Sequence, residues 1–206
     1  MSVVWGNFDP LDLVDPESLA GLPRKEARAL FQRRMELREH RRSVLGKLLA
    51  ANGVALGERD EDVAALNGWF ANEVEPDPEI PGRPSREWRW VGQDIALFLG
   101  DVMVRRNPAL HWAFFTWGTK NVSYQQHVVM GFTTEDPKMH TNINIDRGVS
   151  AYAHRLVESR GSIPTYGTVE IRGARIDVGA VAEDHCGENV SPDIFLRWLR
   201  NAAERA

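Results

Sequence analysis

The chain has 206 residues, 43% of them hydrophobic and 26% charged, which supplies enough apolar material for one sizeable core at near-average surface charge. No apolar run approaches the roughly 20 residues that span a bilayer, and the acidic start MSVVWGNFDPLDLVDPESL lacks the basic and apolar regions of a secretory signal. Cys186 stands alone, excluding an intrachain disulfide and a multi-cysteine metal site and pointing to the cytoplasm.

The net charge of −4 conceals an asymmetry. Between Arg24 and Lys47 lie nine Lys/Arg against Glu26, Glu36 and Glu39, a local balance of +6. Only four of the 25 basic residues are lysine, a composition that suggests a high-GC bacterial genome.

Residues 1–22 read as an acidic arm with Trp5 and Phe8 as anchors, packing on the basic segment that follows. From 23 to 206 the pattern is that of a single α+β domain: a helical layer at 23–75, a proline-rich loop at 76–84, a central helix and sheet at 85–146, and further helices with a hairpin at 147–206. The first long helix starts at Pro23 and ends before Gly53, with Leu30, Leu37, Leu45 and Leu48 on its apolar stripe. Its other faces carry Arg34, Arg38, Arg41 and Arg42. A solvated face, an acidic protein partner and nucleic acid are the three uses such a helix has. Too few aromatics are interleaved for base stacking, so nucleic acid is the weakest of them.

A second helix follows from Asp60, the expected N-cap, to Val74. Prolines at 76, 78, 81 and 84 predict an extended, polyproline-like connection. The central helix, Val91 to Arg106, is apolar on more than one side, and Gly92, Ala96 and Gly100 make a groove of small residues for another backbone. Leu110–Trp117 and Val122–Phe132 then alternate around a turn at Gly118 and predict a hairpin whose first strand is central. Met139–Ile145 predicts a third strand, completing an antiparallel meander. Asp146 is the expected cap of a helix ending at Gly161, residues 168–178 read as a second hairpin around Arg172-Gly173, and Ser191-Pro192 opens a last helix with Phe195, Trp198 and Leu199 buried. The total is three to five strands and about five helices.

No phosphate-binding loop, dinucleotide fingerprint, zinc signature or nucleophile elbow is present. Asp184-His185-Cys186 places an imidazole beside a thiol, but sequence neighbours in an extended loop point apart, and an incidental thiol is the better reading. His111, His127 and His140 fall on successive strands. If the register gathered them, they would make a catalytic or metal-binding constellation; packed, hydrogen-bonded histidines are the plainer alternative. Seven tryptophans crowd the chain, and the hairpin tip bearing Trp117 and Tyr124 has the composition of a protein-binding hot spot.

The run Trp90-Val91-Gly92, Leu99-Gly100-Asp101-Val102-Met103-Val104-Arg105, Pro108 and Trp112 resembles the WLG…LGxxLVR…PGxxW core of uncharacterised actinobacterial and immunity-like proteins, over roughly an eighth of the chain. The resemblance implies a small α+β fold and a binding role, and it carries no catalytic residue. The expectation is therefore a cytoplasmic bacterial interaction module, an immunity or accessory protein without cofactor. Its partner would be a protein, acidic for preference, or a second copy, with no role for a membrane. Arg34, Arg38, Arg41, Arg42, Trp117 and Tyr124 are the binding candidates. An enzyme or metal-dependent binder using the three histidines is the alternative, and nucleic-acid binding through residues 24–47 the second.

Overall fold

The structure, a computed structural model, describes residues 3–11, 16–133, 140–161, 168–171, 174–177 and 193–206. Helix and strand are mixed, as the patterning predicts. After a 3-10 turn at Pro16–Gly21, the helices are α1 (Arg24–Glu36), α2 (Arg38–Ala51), α3 (Asp60–Glu73), α4 (Arg86–Arg106), α5 (Ile145–Gly161) and α6 (Ile194–Glu204). The strands are β1 (His111–Phe114), β2 (His127–Met130), β3 (Thr168–Ile171) and β4 (Ala174–Asp177).

Helix α4 is the axis of the fold. It begins five residues earlier than the apolar pattern suggests, directly after Pro84-Ser85, with Glu87 in its first turn and Arg105 and Arg106 in its last, charges that suit the helix dipole at both ends. Thirteen of its residues are buried, and it packs on α2, α5 and α6. The predicted groove of small residues is present, but side chains fill it in place of another backbone. Gly92 lies against Val149 of α5, and a Cβ at Gly100 would run into the Trp112 ring. That ring is held in place by its Nε1–H, which donates to Asp101 Oδ1 at 2.8 Å.

The main core lies between α4, α3 and α6. Trp88 is fully buried among Trp5, Trp69 and Phe70, with ring centroids 5.4, 5.2 and 5.8 Å away. Each such side chain contributes about 1.5–3 kcal/mol by leaving water. Among the described residues Asn67 is the buried amide of this apolar layer, and it is satisfied on both sides. It donates to the Tyr152 hydroxyl at 3.2 Å and accepts from the Phe195 amide at 3.1 Å. The second bond serves an orphan N–H at the start of α6, where Asp193 provides no side-chain cap.

Four expectations are corrected. The first long helix is two, because the chain breaks at Leu37 (φ −87°, ψ −1°). The proline-rich segment folds back on itself instead of extending, since Asp77 N–H donates to Arg83, Ser85 N–H donates to Glu75, and Pro76 bridges Pro84. Asp60 is the first residue of α3, and the N-cap is Arg59 without a side-chain bond. Asn144 caps α5, its Oδ1 accepting from Arg147 N–H at 3.0 Å, which leaves Asp146 for another purpose.

Strands β1 and β2 pair antiparallel, His111 opposite Met130 and Phe114 opposite His127. Among the described residues β1 has no second neighbour, and the third strand of the expected meander is reduced to a single bridge between Val129 and Ile143. Entry into α5 at Ile145 leaves no length for more. The hairpin expected at 168–178 is present as β3 and β4. Its turn at 172–173, the loop with Asp184, His185 and Cys186, and the Ser191-Pro192 start lie outside the described residues. The N-terminal arm does pack on the basic segment. Val4 exchanges hydrogen bonds with the Asn52 side chain, and Asp9 offers its carbonyl to Arg41 at 2.6 Å.

Candidate functional site

The arginines of α1 and α2 were candidates for a binding face, and the structure turns the central ones inward. Arg34 is 3% exposed and Arg41 2%. Arg34 grips Asp146 through two hydrogen bonds of 2.6 Å and also donates to the Gln93 carbonyl at 3.1 Å. Arg41 grips Asp94 at 2.9 and 2.5 Å. Arg38 reaches Asp101 at 3.1 Å, and Arg42 pairs with Glu58 at 2.7 Å while lying over the Phe98 ring. Burial opposes the Arg34 charge, but Asp146 outweighs it and holds the guanidinium pKa above its usual value. Glu58, between Arg42 and Arg105, titrates below the ordinary range, because the two guanidiniums overcome its partial burial.

This overturns the reading of Arg34 and Arg41 as surface residues, and it removes most of the basic helix's field. Of a local surplus of six positive charges, four are matched by carboxylates within the fold. The physical reason is that each meets a buried carboxylate on a different element: Arg34 on α1 reaches Asp146 at the start of α5, Arg41 on α2 reaches Asp94 on α4, and the bend at Leu37 divides the segment that carries them.

The three strand histidines do not converge. In the observed register Trp112, Phe114, His127 and Val129 share one face, and His111 and Ala113 occupy the other. His111 is exposed, at the far end of β1 from His127. His127 is buried, and its Nδ1 accepts from Arg34 at 3.2 Å. Burial, reinforced by the Arg34 charge, pushes its pKa down to about 4, so the ring is neutral at pH 7 with the proton on Nε2, for which there is no acceptor among the described residues. His140 lies at the hairpin tip, stacked on Trp117 with centroids 4.4 Å apart. Among the described residues no group of three or more His, Cys, Asp or Glu is placed to hold a metal ion.

The hairpin tip is open. Trp117 is 42% exposed, braced edge-on by Phe115 at 5.3 Å and face-on by His140. Val122 is 71% exposed, and Tyr124 is half-buried beside it. The tip's base is fixed by Gln125, whose left-handed backbone (φ 60°) aims the side chain at the N-terminal arm. Its amide donates to the carbonyls of Leu19 and Leu22, both at 2.9 Å.

Val122 also lines a cleft of about 1070 Å³ between the first turns of α4 and α5. Arg83, Arg86, Arg89 and Arg147 line it, and among the described residues Asp146, already gripped by Arg34, is the carboxylate on its wall. The Arg86 guanidinium lies 4.7 Å from the centre of the Trp90 ring. Sequence reasoning missed this site. The available signal was the spacing of Arg83, Arg86 and Arg89 three residues apart, which a helix starting at Val91 conceals and one starting at Arg86 partly aligns.

No family model, curated protein or solved structure matches this chain.

Proposed function

We propose that the protein is a non-enzymatic interaction module of the bacterial cytoplasm, an immunity or accessory factor that acts by docking on a protein partner through its β1–β2 hairpin tip. The observation that carries this reading is the pair Trp117 and Val122, 42% and 71% exposed on a tip whose tryptophan is braced from two sides. A pre-positioned tryptophan loses little side-chain entropy on binding, which is why tryptophan is enriched among binding hot spots. No helix among the described residues is long and apolar enough to cross a membrane, and the single cysteine suits a reducing compartment.

Two rival uses have less support. Catalysis or metal binding by His111, His127 and His140 needs one face, and these residues occupy three separate environments. Nucleic-acid binding through residues 24–47 needs cations that Asp94, Asp101, Asp146 and Glu58 already match.

The test compares the wild-type protein with the Trp117→Ser/Val122→Asp double variant as affinity baits in the native host, after circular dichroism has shown both folded. A partner retained by the wild type and weakened about thirtyfold or more by the double substitution is the expected result. Equal retention of every captured protein by both baits would sink the assignment of the tip. Sedimentation across protein concentrations separates a second copy of the chain from a foreign partner.

A further inference from the structure

We propose that the 3-10 turn at the end of the N-terminal arm is a strap that holds the hairpin tip in its docking shape, so that docking is governed from the arm. The control of docking rests on the reading of the tip given above; the strap itself does not. The turn spans Pro16–Gly21, and Leu19 is its buried residue, 3% exposed. The carbonyls of Leu19, Ala20 and Leu22, within the turn and just past it, converge on the side-chain amide of Gln125 at 2.9, 3.4 and 2.9 Å. More than a hundred positions of chain separate the two partners. Gln125 is 1% exposed, so departure of the turn would open its side chain to water and free its rotamers.

The same residue closes the tip. The backbone N–H of Gln125 donates to the Phe115 carbonyl at 2.7 Å, and Phe115 N–H donates to the Gln126 carbonyl at 3.0 Å. Phe115 in turn braces Trp117 edge-on, with centroids 5.3 Å apart. Direct contacts therefore run from Leu19 through Gln125 and Phe115 to the exposed tryptophan. Within the tip, Tyr124 N–H donates to Asn121 and Gln126 N–H to Ser123, turn bonds that close short loops and anchor nothing outside them. Its outward ties are the Ser123 hydroxyl, which donates to Asn142 at 2.9 Å, and the stack of Trp117 on His140, and neither of these reaches the arm. A single turn of chain near a terminus belongs to the segments that open at lowest cost, well before the helices of the core. The strap is thus the part of the tip's support that can be withdrawn while the fold stays intact.

The test is amide hydrogen exchange on the full chain, after circular dichroism has shown each variant helical. Leu19→Asp puts a charge where the turn is buried and unseats it. Exchange should quicken about tenfold or more in residues 16–22 and, through Gln125, in residues 115–126 as well. Gln125→Gly accommodates the left-handed backbone and removes only the side-chain amide, and it should quicken residues 16–22 about tenfold. Leu199→Ala, a truncation in α6, should leave both segments at their wild-type rates. The strap is overturned if residues 115–126 keep wild-type rates in Leu19→Asp, if residues 16–22 keep theirs in Gln125→Gly, or if Leu199→Ala quickens the tip as much as Leu19→Asp does. A partner captured through the tip should be retained about tenfold less by Leu19→Asp than by the wild type, and equal retention overturns the control of docking. Exchange is read with no partner present, so equal capture by the wild type and the Trp117→Ser/Val122→Asp variant sinks the docking reading alone.

Discussion

Arg34 and Arg41 sit 3% and 2% exposed between helices, each clasping a carboxylate with two hydrogen bonds, whereas Arg86 and Arg147 stand at the open ends of α4 and α5 beside Trp90. The two sets are alike in residue type and opposite in what surrounds them. Inside, every charge is matched, because an unmatched charge in the core is costly. At the cleft, Arg86 lies over the Trp90 ring and Arg147 is exposed at the start of α5. Local charge density, high around residues 24–47, therefore does not by itself tell which arginines reach the surface.

The comparison can be broken most sharply at its buried end. Arg34→Leu or Asp146→Leu alone should cost about 3–5 kcal/mol in urea unfolding, because each strands the other charge in the core. The double variant should recover most of that loss, and fully additive losses would mean that the pair is not the unit described. Next in size is an acid effect. His127 is held neutral in the fold at a pKa of about 4, against an ordinary 6.5 in the unfolded chain. Between those values the unfolded state binds more protons, so stability is intact above pH 6.5 and falls as pH drops toward 4, by about 3 kcal/mol in all. His127→Phe should flatten that slope, and an unchanged slope would assign it to other groups.

Gly100→Ala tests the helix that carries the inner carboxylates. The new methyl meets the Trp112 ring, which Asp101 anchors, and a loss of about 1–3 kcal/mol in thermal or urea unfolding is expected. The smallest effect belongs to the cleft. Arg147→Gln should change unfolding stability by no more than about 0.5 kcal/mol. A larger loss would place Arg147 with the structural set.

What was legible in the sequence follows from how local its cause is. The two faces of His111–Phe114 and His127–Met130 could be read because strand alternation depends only on neighbours, although the strands stop short of the predicted Leu110–Trp117 and Val122–Phe132, and the groove at Gly92 and Gly100 because small residues on one helix need no partner to be recognised. The direction of Arg34 could not be read, since it is decided by Asp146, 112 positions away, and that of Arg41 by Asp94, 53 away. The third strand failed for a related reason. Met139–Ile145 alternates as a strand should, but Asn144 caps a helix at that point, and capping ended the sheet after one bridge. His111 and His127 lie on the strands they were placed on and His140 does not, and the faces they occupy depend on a register that no local pattern fixes.

Gln125 joins two of these regions. Its backbone lies at φ 60°, where glycine or asparagine would rest more easily, yet neither has the reach to meet the carbonyls of Leu19 and Leu22. The position has thus been filled for length at the expense of backbone comfort, by about 1 kcal/mol. That strain is sustained only while the arm is seated, so arm and hairpin tip are thermodynamically linked. Whatever steadies one steadies the other, and by the same free energy.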